Sequence, residues 1–527
     1  MPTHAEVMAA TLAARGVEYV FGLPGGEIVA FIDACRRAGL RFLLTGHEAS
    51  AAWMAQVTGQ ITGVPGVCAT TLGPGATNLV TAVANAWLDR APMLAVTAEI
   101  PQASYSTLTH QRVPLGELFA PITKRTAAIG SADTADLVNG SLDLAAAPRP
   151  GPVHLSLASD LAIAECVPRD SGSQEALGLA QPAASLDQIV ARIQNAARPI
   201  VIIGLGAPPA AAPAIRALVD KLQAPFLVSP KAKGIVAEDH PLFAGVATGM
   251  AIDKDIIETI RSAGLVIGIG FDPVECDKTW FADVSMVAID SCSMAEGRYQ
   301  PEQAIGDIAM LVSQLTAAIS GPKRWPVDLL EGRKQAIRRT PATPAHGLSP
   351  LRVIEELRSV FPRDGIATCD VGSHKLLMGQ FWRSYEPGTF FMSNGLSGMG
   401  FGIPAAIAAQ LASPEKPVLA VVGDGGMLMM LHDLALIREL KLPMIVVVMS
   451  DSSLSLIRLS AERRKFPPYG VDFQAPDFRA IAEAFGIAGR RASSVAELRE
   501  CVGQALTERR ATVIDVPIDY REYYELI

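Results

Sequence analysis

The chain has 527 residues, of which 50% are hydrophobic, and a formal net charge of −8 at pH 7. A single hydrophobic core stops growing at about 250–300 residues, so this length predicts several domains. The apolar residues occur in short runs between Gly and Pro, and none approaches the ~20 residues that span a bilayer, so we expect a soluble protein without a membrane segment. The acidic charge balance argues against a nucleic-acid partner.

The N-terminal sequence and the cysteines bear on the cellular compartment. The opening stretch MPTHAEVMAATLAARG lacks a basic region followed by a long apolar segment and a small-residue cleavage site, so we expect no secretory signal. The seven cysteines form no CxxC pair or cluster, which is typical of neither a disulfide framework nor a zinc site. We therefore predict a cytoplasmic protein.

Short apolar runs in the first third of the chain predict strands, namely VEYVFGLP, RFLLTG, GVCATTLG, PMLAVTA and GPVHLSLAS. Each run ends in turn residues, and most lead into Ala-rich segments with a helical pattern. That alternation is typical of a parallel sheet wrapped by helices. Residues 167–185 are rich in Pro, Gly, Ser and Ala and predict a linker. The first α/β domain is therefore expected over residues 1–166.

Two further α/β domains are expected, over residues 186–320 and 348–527. The strands of the second are predicted at PIVIIGLG, APFLVSP, LVIGIGFD and MVAID, before a basic stretch rich in Pro and Gly. Those of the third are predicted at GIATCD, TFFMSN, VLAVVGD, PMIVVVMSD and TVIDVPI. The predicted fold is α/β, with three doubly wound parallel-sheet domains of about 150–180 residues, which is an ordinary domain size.

Two acidic residues follow strands of the predicted third domain: Asp424, in a Gly-Asp-Gly turn, and Asp451, 27 positions later. Between them, MLMMLHDLALIREL reads as a helix and PMIVVVMS as the next strand. About 16 helical residues descend roughly 24 Å, and about eight strand residues climb back some 26 Å. We therefore expect both carboxylates at one carboxyl edge of the sheet, where open α/β folds bind ligands.

The glycines beside Asp424 suit a phosphate group, because Gly425 and Gly426 leave the backbone open just before a helix N-terminus. Two carboxylates together with a diphosphate are a common way to hold Mg²⁺. The alternative interpretation is a tight turn after a strand, with no ligand.

Glu48 is the candidate acid of the first domain. It begins an Ala-rich predicted helix directly after a strand that ends at Thr45. A carboxylate at a sheet edge amid apolar neighbours is expected to have a raised pKa, because burial disfavours the charged form. Such an acid can exchange a proton with a ring nitrogen near neutral pH. The alternative is an acid that only stabilises the helix N-terminus.

These motifs resemble thiamine diphosphate (ThDP) enzymes, in particular the acetolactate synthase branch of ThDP-dependent decarboxylases and carboligases. The Gly-Asp-Gly turn followed by Asp451 is similar to the diphosphate motif of that family. HE followed by TTLGPGATNLVTAVANAWLDRAPMLAVTAE resembles its pyrimidine-binding domain, and SPKAKGIVAEDHPLFAG and IGIGFDPVE its central domain. DVGSHKLLMGQ, SNGLSGMGFGIPAAIAA and GDGGMLMM resemble its diphosphate-binding domain.

The resemblance covers most of the chain and implies a domain order, cofactors and an assembly. The domains would be pyrimidine-binding, central and diphosphate-binding, and the cofactors ThDP and Mg²⁺. The protein would be a homodimer or homotetramer with its active site at the subunit interface.

The resemblance also implies a role for individual residues. Glu48 matches the glutamate that activates the cofactor, and Gln111 a polar residue that faces the reacting centre. The metal ligands would be Asp424, Asp451 and the backbone carbonyl of Ser453. The cofactor-binding positions would be Pro74, Gly75, Asn78, Gly372, Ser373, His374, Leu396, Met399, Gly423, Gly425, Gly426 and Met427. Outside that resemblance, His374 and Gln111 read as surface residues and Met427 as core.

Three departures from the family pattern leave the substrate open, and one similarity bears on FAD. Asp451 stands where the family has Asn, which keeps the oxygen but adds a negative charge near the diphosphate. Gln56–Gln60 replaces Asp-Gly-Tyr-Ala-Arg, and Leu459–Ser460 replaces Lys-Gln or Trp-Gln, on the side of the pocket that receives the second substrate. GIGFDPVECD is similar to the central domain of relatives without FAD, so FAD binding stays open.

The resemblance implies decarboxylation of a 2-oxo acid and transfer of the resulting enamine to a carbonyl acceptor. A simple decarboxylase that releases an aldehyde is the alternative, although Thr71 and Leu72 occupy a loop near which family decarboxylases often carry a His. A non-catalytic ThDP-binding paralogue is a further alternative, against which Glu48 argues. GLGAPP, which begins at Gly204, suggests a dehydrogenase but lacks the third glycine of GxGxxG.

Overall fold

A computed structural model gives the fold and describes residues 1–131, 133–167, 184–247, 249–276, 278–341, 343–344 and 346–527. Within these residues the chain forms three six-stranded sheets in which every strand pairs in parallel with its neighbours. The predicted class, three doubly wound parallel sheets with helices, is confirmed. The linker predicted at residues 167–185 lies, apart from its ends, outside the described residues.

The first sheet has the strand order β2-β1-β3-β4-β6-β5. Because β1 lies between β2 and β3, the connections leave it in opposite directions and open a crevice at the carboxyl ends of β1 and β3. Its strands are β1 (Tyr19–Leu23), β2 (Arg41–Leu44), β3 (Gly66–Thr70), β4 (Met93–Glu99), β5 (Thr126–Ala128) and β6 (Pro152–Ala158). Its helices are α1 (His4–Ala14), α2 (Val29–Arg37), α3 (Glu48–Thr62), α4 (Pro74–Leu88), α5 (Leu115–Phe119), α6 (Thr134–Ala146) and α7 (Ser159–Ala162).

The second sheet has the order β12-β11-β10-β7-β8-β9, which is that of a Rossmann sheet. Its switch point lies between β7 and β10. The strands are β7 (Pro199–Ile203), β8 (Phe226–Val228), β9 (Phe243–Val246), β10 (Leu265–Ile269), β11 (Met286–Asp290) and β12 (Glu302–Ile305). The helices are α8 (Leu186–Asn195), α9 (Ala212–Leu222), α10 (Asp253–Arg261) and α11 (Ile308–Ala318), and α12 (Val327–Ile337) follows in the stretch predicted to break regular structure.

The third sheet, of order β14-β13-β15-β16-β18-β17, repeats the topology of the first, with its switch point between β13 and β15. Its strands are β13 (Ile366–Cys369), β14 (Phe390–Met392), β15 (Val418–Gly423), β16 (Ile445–Ser450), β17 (Ala488–Arg491) and β18 (Thr512–Pro517). The helices are α13 (Pro350–Val360), α14 (Ser373–Phe381), α15 (Gly402–Ala412), α16 (Asp424–Met429), α17 (Asp433–Leu440), α18 (Ser455–Arg463), α19 (Phe478–Ala484), α20 (Val495–Glu508) and α21 (Tyr523–Leu526).

The strand predictions succeeded for buried strands and missed β5, β9, β12 and β17. These are short, all four lie at a sheet edge, and they carry fewer fully buried side chains than the central strands. The single helix predicted over MLMMLHDLALIREL was wrong, because the structure divides it into α16 and α17. At residues 433–435 the backbone N–H groups bond to the carbonyls three residues back, a tighter turn that redirects the chain.

Contacts divide the chain into two compact units. Unit 1 comprises Met1–Leu179, Gly395–Pro414 and Met430–Leu442, and unit 2 comprises Ala180–Asn394, Glu415–Met429 and Pro443–Ile527. The first sheet lies in unit 1 and the other two in unit 2. Among the described residues, no helix is both long enough and apolar enough to cross a bilayer. All seven cysteines lie within the described residues, and none of them forms a disulfide.

Candidate active site

The Glu48 carboxylate lies at the switch point of the first sheet. After β2 the chain turns, and His47 caps α3, its ring Nδ1 accepting the backbone N–H of Ala49 at 3.0 Å. This cap makes Glu48 the first residue of α3, where it is 6% exposed. The side-chain amide of Asn78 donates to Glu48 Oε2 at 2.9 Å. An acid and its orienting partner therefore meet where α3 and α4 begin.

The loop between β3 and α4 is shaped around that carboxylate. A Cβ on Gly75 would lie 2.4 Å from Thr70 Oγ1 and 3.3 Å from Glu48 Oε1, so a larger residue would crowd the acid. Gln111 lies beside the same loop, since a Cβ on Gly73 would be 3.0 Å from the Gln111 Cβ. Gln111 is exposed and its φ of 56° lies in the left-handed region, which costs free energy for a non-Gly residue and recurs at functional sites.

One pair on this edge was missed by the sequence analysis. Glu27, just beyond β1, accepts a hydrogen bond from Thr71 Oγ1 at 2.7 Å. A Cβ on Gly25 would come within 2.5 Å of the Thr71 hydroxyl. Glu27 joins the loops at the two sides of the crevice. Both residues follow predicted strands, Glu27 after β1 and Thr71 after β3, and that position was the available signal. Their closeness could be inferred only with the strand order known.

Leu396 and Met399 belong to unit 1, together with Glu48. Their segment lies against α3 and α4: Trp53 packs edge-on against Phe401 at 5.5 Å between ring centroids, and the backbone N–H of Gly395 donates to Asp89 at 2.8 Å. Leu396 is 38% exposed, and Met399 is half-buried. Both side chains therefore keep surface that a ligand could cover.

The expectation that Gln56 faces the second substrate is wrong. Gln56 is fully buried, accepts from the Asn85 amide at 2.9 Å and donates to Asp89 at 3.2 Å. Those bonds satisfy its polar atoms inside the packing of α3 on α4, because a buried amide without partners is costly. Gln56, which stands where the family has Asp, therefore contributes to the packing of α3 on α4 and has no exposed surface for a substrate.

Asp424 and Asp451 lie together at the carboxyl edge of the third sheet, which confirms their predicted adjacency. The two strands before them, β15 and β16, are parallel neighbours. Asp424 is 2% exposed, and its carboxylate accepts the backbone N–H groups of Gly425, Asp451 and Ser452 at 2.8, 3.1 and 2.6 Å. Asp451 in turn accepts the N–H of Ser453 at 3.2 Å and the Ser455 hydroxyl.

The electrostatics of this pair favour a cation. Burial raises the pKa of Asp424. Burial, reinforced by the neighbouring Asp424 charge, raises the pKa of Asp451 to about 7. Two adjacent carboxylates whose charged forms are disfavoured by burial are stabilised by a divalent cation between them, and oxygen ligands suit Mg²⁺. The residues present fit that ion.

The start of α14 faces the same turn. Ser373 and His374 are buried, and the Ser373 hydroxyl and His374 Nε2 have no hydrogen-bond partner among the described residues. A Cβ on Gly423 would lie 3.1 Å from the His374 ring. Burial lowers the pKa of His374 to about 4, so the ring is neutral at pH 7. Polar atoms without partners beside a glycine turn fit a polar ligand such as a diphosphate.

Asp370, the first residue after β13, was missed by the sequence analysis. A Cβ on Gly426 would come within 2.1 Å of its Oδ2, so this carboxylate touches the turn that holds Asp424. Met427 is fully buried, as its core interpretation predicted. A carboxylate directly after a buried strand, as in GIATCD, was the signal for Asp370.

The switch point of the central sheet is filled by the chain itself. The N–H groups of Leu205 and Lys231 donate to the two oxygens of Glu275 at 3.0 and 3.2 Å. Burial raises the pKa of Glu275 to about 7. A Cβ on Gly270 would be 2.2 Å from the backbone nitrogen of Ala207. The carboxylate occupies the backbone donors that a dinucleotide pyrophosphate uses at this point of a Rossmann sheet, so these residues do not fit FAD bound in that way.

Two similar sheets, one with a buried glutamate at its switch point and one with paired carboxylates at the carboxyl ends of two neighbouring strands, define a cofactor-dependent α/β enzyme. The chain belongs to the family of thiamine pyrophosphate enzymes. Residues 2–117 match its N-terminal TPP binding domain, 186–315 its central domain and 370–516 its C-terminal TPP binding domain.

Curated relatives from the same family match the chain almost end to end. The acetolactate synthase of Bacillus subtilis (strain 168) is 32% identical over 99% of this chain and 94% of its own length. The catabolic acetolactate synthase of Raoultella terrigena is 29% identical over 98% and 95%. The acetolactate synthase isozyme 2 large subunit of Escherichia coli (strain K12) is 29% identical over 97% and 94%.

Proposed function

We propose that this enzyme uses ThDP and Mg²⁺ to remove CO₂ from a 2-oxo acid and to join the remaining fragment to a carbonyl acceptor, as an acetolactate synthase does. The observation that carries the proposal is the buried Glu48 carboxylate, 6% exposed and hydrogen-bonded to Asn78, in a chain similar to acetolactate synthases over 99% of its length. A protein that only stored the cofactor would not require an acid held in this position.

Asp424, Asp451 and the Ser453 carbonyl are the proposed metal ligands. The backbone of Gly423, Gly425, Gly426 and Met427 is proposed to lie beside the diphosphate, and the Ser373 hydroxyl, beside His374 and Gly372, would gain the partner that it lacks among the described residues. When bound, ThDP supplies the electron sink that decarboxylation of a 2-oxo acid requires.

Glu48 is the proposed proton donor and acceptor for the pyrimidine ring. Asn78 orients it, and the small Gly75, next to Pro74, leaves room for the ring beside the carboxylate. A general acid or base must lie within hydrogen-bond reach of the nitrogen that it protonates. Leu396 and Met399 would support the cofactor from the segment that packs on α3.

Gln111 is proposed to position the substrate, because it lies beside Gly73 at the mouth of the same loop. A polar, exposed side chain there can hydrogen-bond a carboxylate or carbonyl oxygen of a 2-oxo acid. Thr71 is bonded to Glu27 and Leu72 is buried, and the loop carries no histidine of the kind that family decarboxylases often place near the reacting carbon, which must gain a proton before an aldehyde can leave. That feature favours carboligation over simple decarboxylation.

Two further properties follow from the same proposal. We propose a homodimer or homotetramer with the active site at the subunit interface, with domains at residues 1–166, 186–320 and 348–527. We also propose that FAD is not bound, because Glu275 occupies the central switch point. The purified protein should then show no visible flavin absorbance, and a stoichiometric flavin spectrum would contradict this part.

The test is CO₂ release from pyruvate, 2-oxobutyrate, benzoylformate and branched-chain 2-oxo acids, with ThDP and Mg²⁺, followed by product identification. Glu48→Gln keeps the shape of the side chain and removes its ionisable group, while Glu18→Gln is the matched control on an exposed residue of the same unit. We expect release that requires both cofactors, falls sharply in Glu48→Gln and is unchanged in Glu18→Gln.

The products decide between the candidate activities. A 2-hydroxy-3-oxo acid such as acetolactate supports carboligation, and a free aldehyde supports the decarboxylase. ThDP binding without any CO₂ release from the panel would overturn the proposal in favour of a non-catalytic binder.

A further inference from the structure

A cavity of about 650 Å³ lies inside unit 2, and none of its described lining residues belongs to the turn that holds Asp424. It is lined by residues 238–245, by the end of α12 and the residues after it, by α13 and by the end of α14. Its volume falls within the ~300–1,000 Å³ typical of small-molecule sites. Phe243, Phe381 and Tyr385 contribute aromatic surface to its wall.

The wall carries five basic side chains, although the chain as a whole has a net charge of −8. Clefts lined by one sign of charge concentrate ligands of the opposite sign. Two of the five have carboxylate partners: Arg339 pairs with Asp255 at 2.7 Å and Lys334 with Glu331 at 3.4 Å. The other three are Arg338, Arg358 and Arg383.

For these three guanidinium groups, no carboxylate of the described residues lies within 4.0 Å. Each is instead anchored through one nitrogen. Arg383 donates to the Glu238 carbonyl at 3.3 Å, Arg338 to the Gln335 side chain at 3.5 Å, and Arg358 to the Phe361 and Pro362 carbonyls at 2.5 and 2.7 Å. A guanidinium has five N–H donors, so anchoring leaves donors for a ligand.

The wall has two acidic residues among those that the structure describes. Glu238 forms a fully buried ion pair with Lys233 at 2.8 Å. Glu355 lies 3.9 Å from Arg352, which pairs more closely with Glu356, so Glu355 is one negative charge against the three arginines. The charge that faces the cavity is therefore positive, from arginines that are held in place. Arginine forks of this kind match the geometry of phosphate groups.

We propose that this cavity binds a nucleoside polyphosphate at a site separate from that for ThDP. The phosphates would engage Arg338, Arg358 and Arg383, and the base would lie against the aromatic wall. A single phosphate would leave most of the 650 Å³ empty, whereas a nucleotide has both the charge and the flat apolar surface that the wall matches.

The experiment measures ATP binding by titration calorimetry to the full chain saturated with ThDP and Mg²⁺, so that the cofactor site is already filled. Competition with inorganic tripolyphosphate and with adenosine separates the contributions of charge and base. The variants are Arg338→Gln combined with Arg383→Gln, and Thr340→Glu, which adds a negative charge to the wall without removing an anchored arginine. Arg324→Gln is the control, since Arg324 is exposed and does not line the cavity.

We expect one ATP per chain, displaced by tripolyphosphate and weakly by adenosine, with affinity that falls as salt rises. Loss of charge-assisted hydrogen bonds should weaken binding about tenfold or more in the double variant, and Thr340→Glu should weaken it as well. Absence of binding at millimolar ATP, equal affinity in all variants, or binding that disappears when ThDP is added would each overturn the proposal.

Discussion

Asp433 provides a test of burial energetics beside the proposed catalytic glutamate. It begins α17, is fully buried, and its Oδ2 accepts the hydroxyl of Ser50 at 2.9 Å. Ser50 lies two residues after Glu48 on α3, and His432 Nε2 is 3.0 Å from the Ser50 hydroxyl and 3.4 Å from Asp433 Oδ1. Burial raises the pKa of Asp433 from 3.8 to about 7.

That pKa difference sets a pH dependence of stability. Between pH 3.8 and about 7, the unfolded chain has lost the Asp433 proton while the folded chain retains it. The free energy of unfolding therefore falls as pH rises through this window. The window spans about three pH units at 1.36 kcal/mol each, so the contribution is at most about 4 kcal/mol.

Asp433→Asn removes the titration and keeps an oxygen that can accept from Ser50. Urea unfolding of the wild type and the variant, followed by fluorescence from pH 4 to pH 8, measures the difference in unfolding free energy at each pH. We expect this difference to shift in favour of the variant by roughly 2–4 kcal/mol as pH rises, on top of a constant offset.

The control is Asp33→Asn, because the pKa of the exposed Asp33 is lowered by its hydrogen bond with Arg36. Because Asp33 titrates below pH 3.8, outside the range measured, the difference in unfolding free energy between that variant and the wild type should stay constant from pH 4 to pH 8. A difference between Asp433→Asn and the wild type that stays constant from pH 4 to pH 8 would refute the reasoning.

Two further substitutions test the proposed cofactor contacts. Asn78→Ala removes the 2.9 Å bond to Glu48, and since a hydrogen bond to a charged group contributes about 1.5–3 kcal/mol, kcat/KM should fall about 10–150-fold, as measured by CO₂ release. Gly426→Ala places a Cβ within 2.1 Å of Asp370 Oδ2, so the turn must shift. ThDP affinity measured by calorimetry should then fall at least tenfold, which corresponds to a loss of about 1.4 kcal/mol of binding free energy.

Each of these has a matched control. Thr77→Ala changes the neighbouring residue, whose hydroxyl bonds locally to Pro74 at 3.0 Å, and should leave kcat/KM unchanged. Gly503→Ala adds a Cβ with nothing within 4 Å and should leave ThDP affinity unchanged. Equal loss in a substitution and its control would show a general loss of stability instead of a specific contact.

The sequence by itself determined the class of fold and the spacing of the acidic pair. Buried parallel strands are continuous apolar runs, so β7, β10, β15 and β16 could be predicted from such runs in the sequence. A helix and a strand of known rise return the chain to the same edge, so the adjacency of Asp424 and Asp451 could be calculated. The edge strand β17 could not, because its half-exposed side chains give no such pattern.

Only the tertiary structure decided which residues share a site. Strand order follows from the packing of whole helices on sheets, and no local pattern records it. That order brings Asp370 to Gly426, Glu27 to Thr71 and Gln111 to Gly73. It also encloses Gln56 in a polar network and seats Glu275 on the backbone of the central switch point, because the free energy of a buried polar group depends on partners far away in the chain.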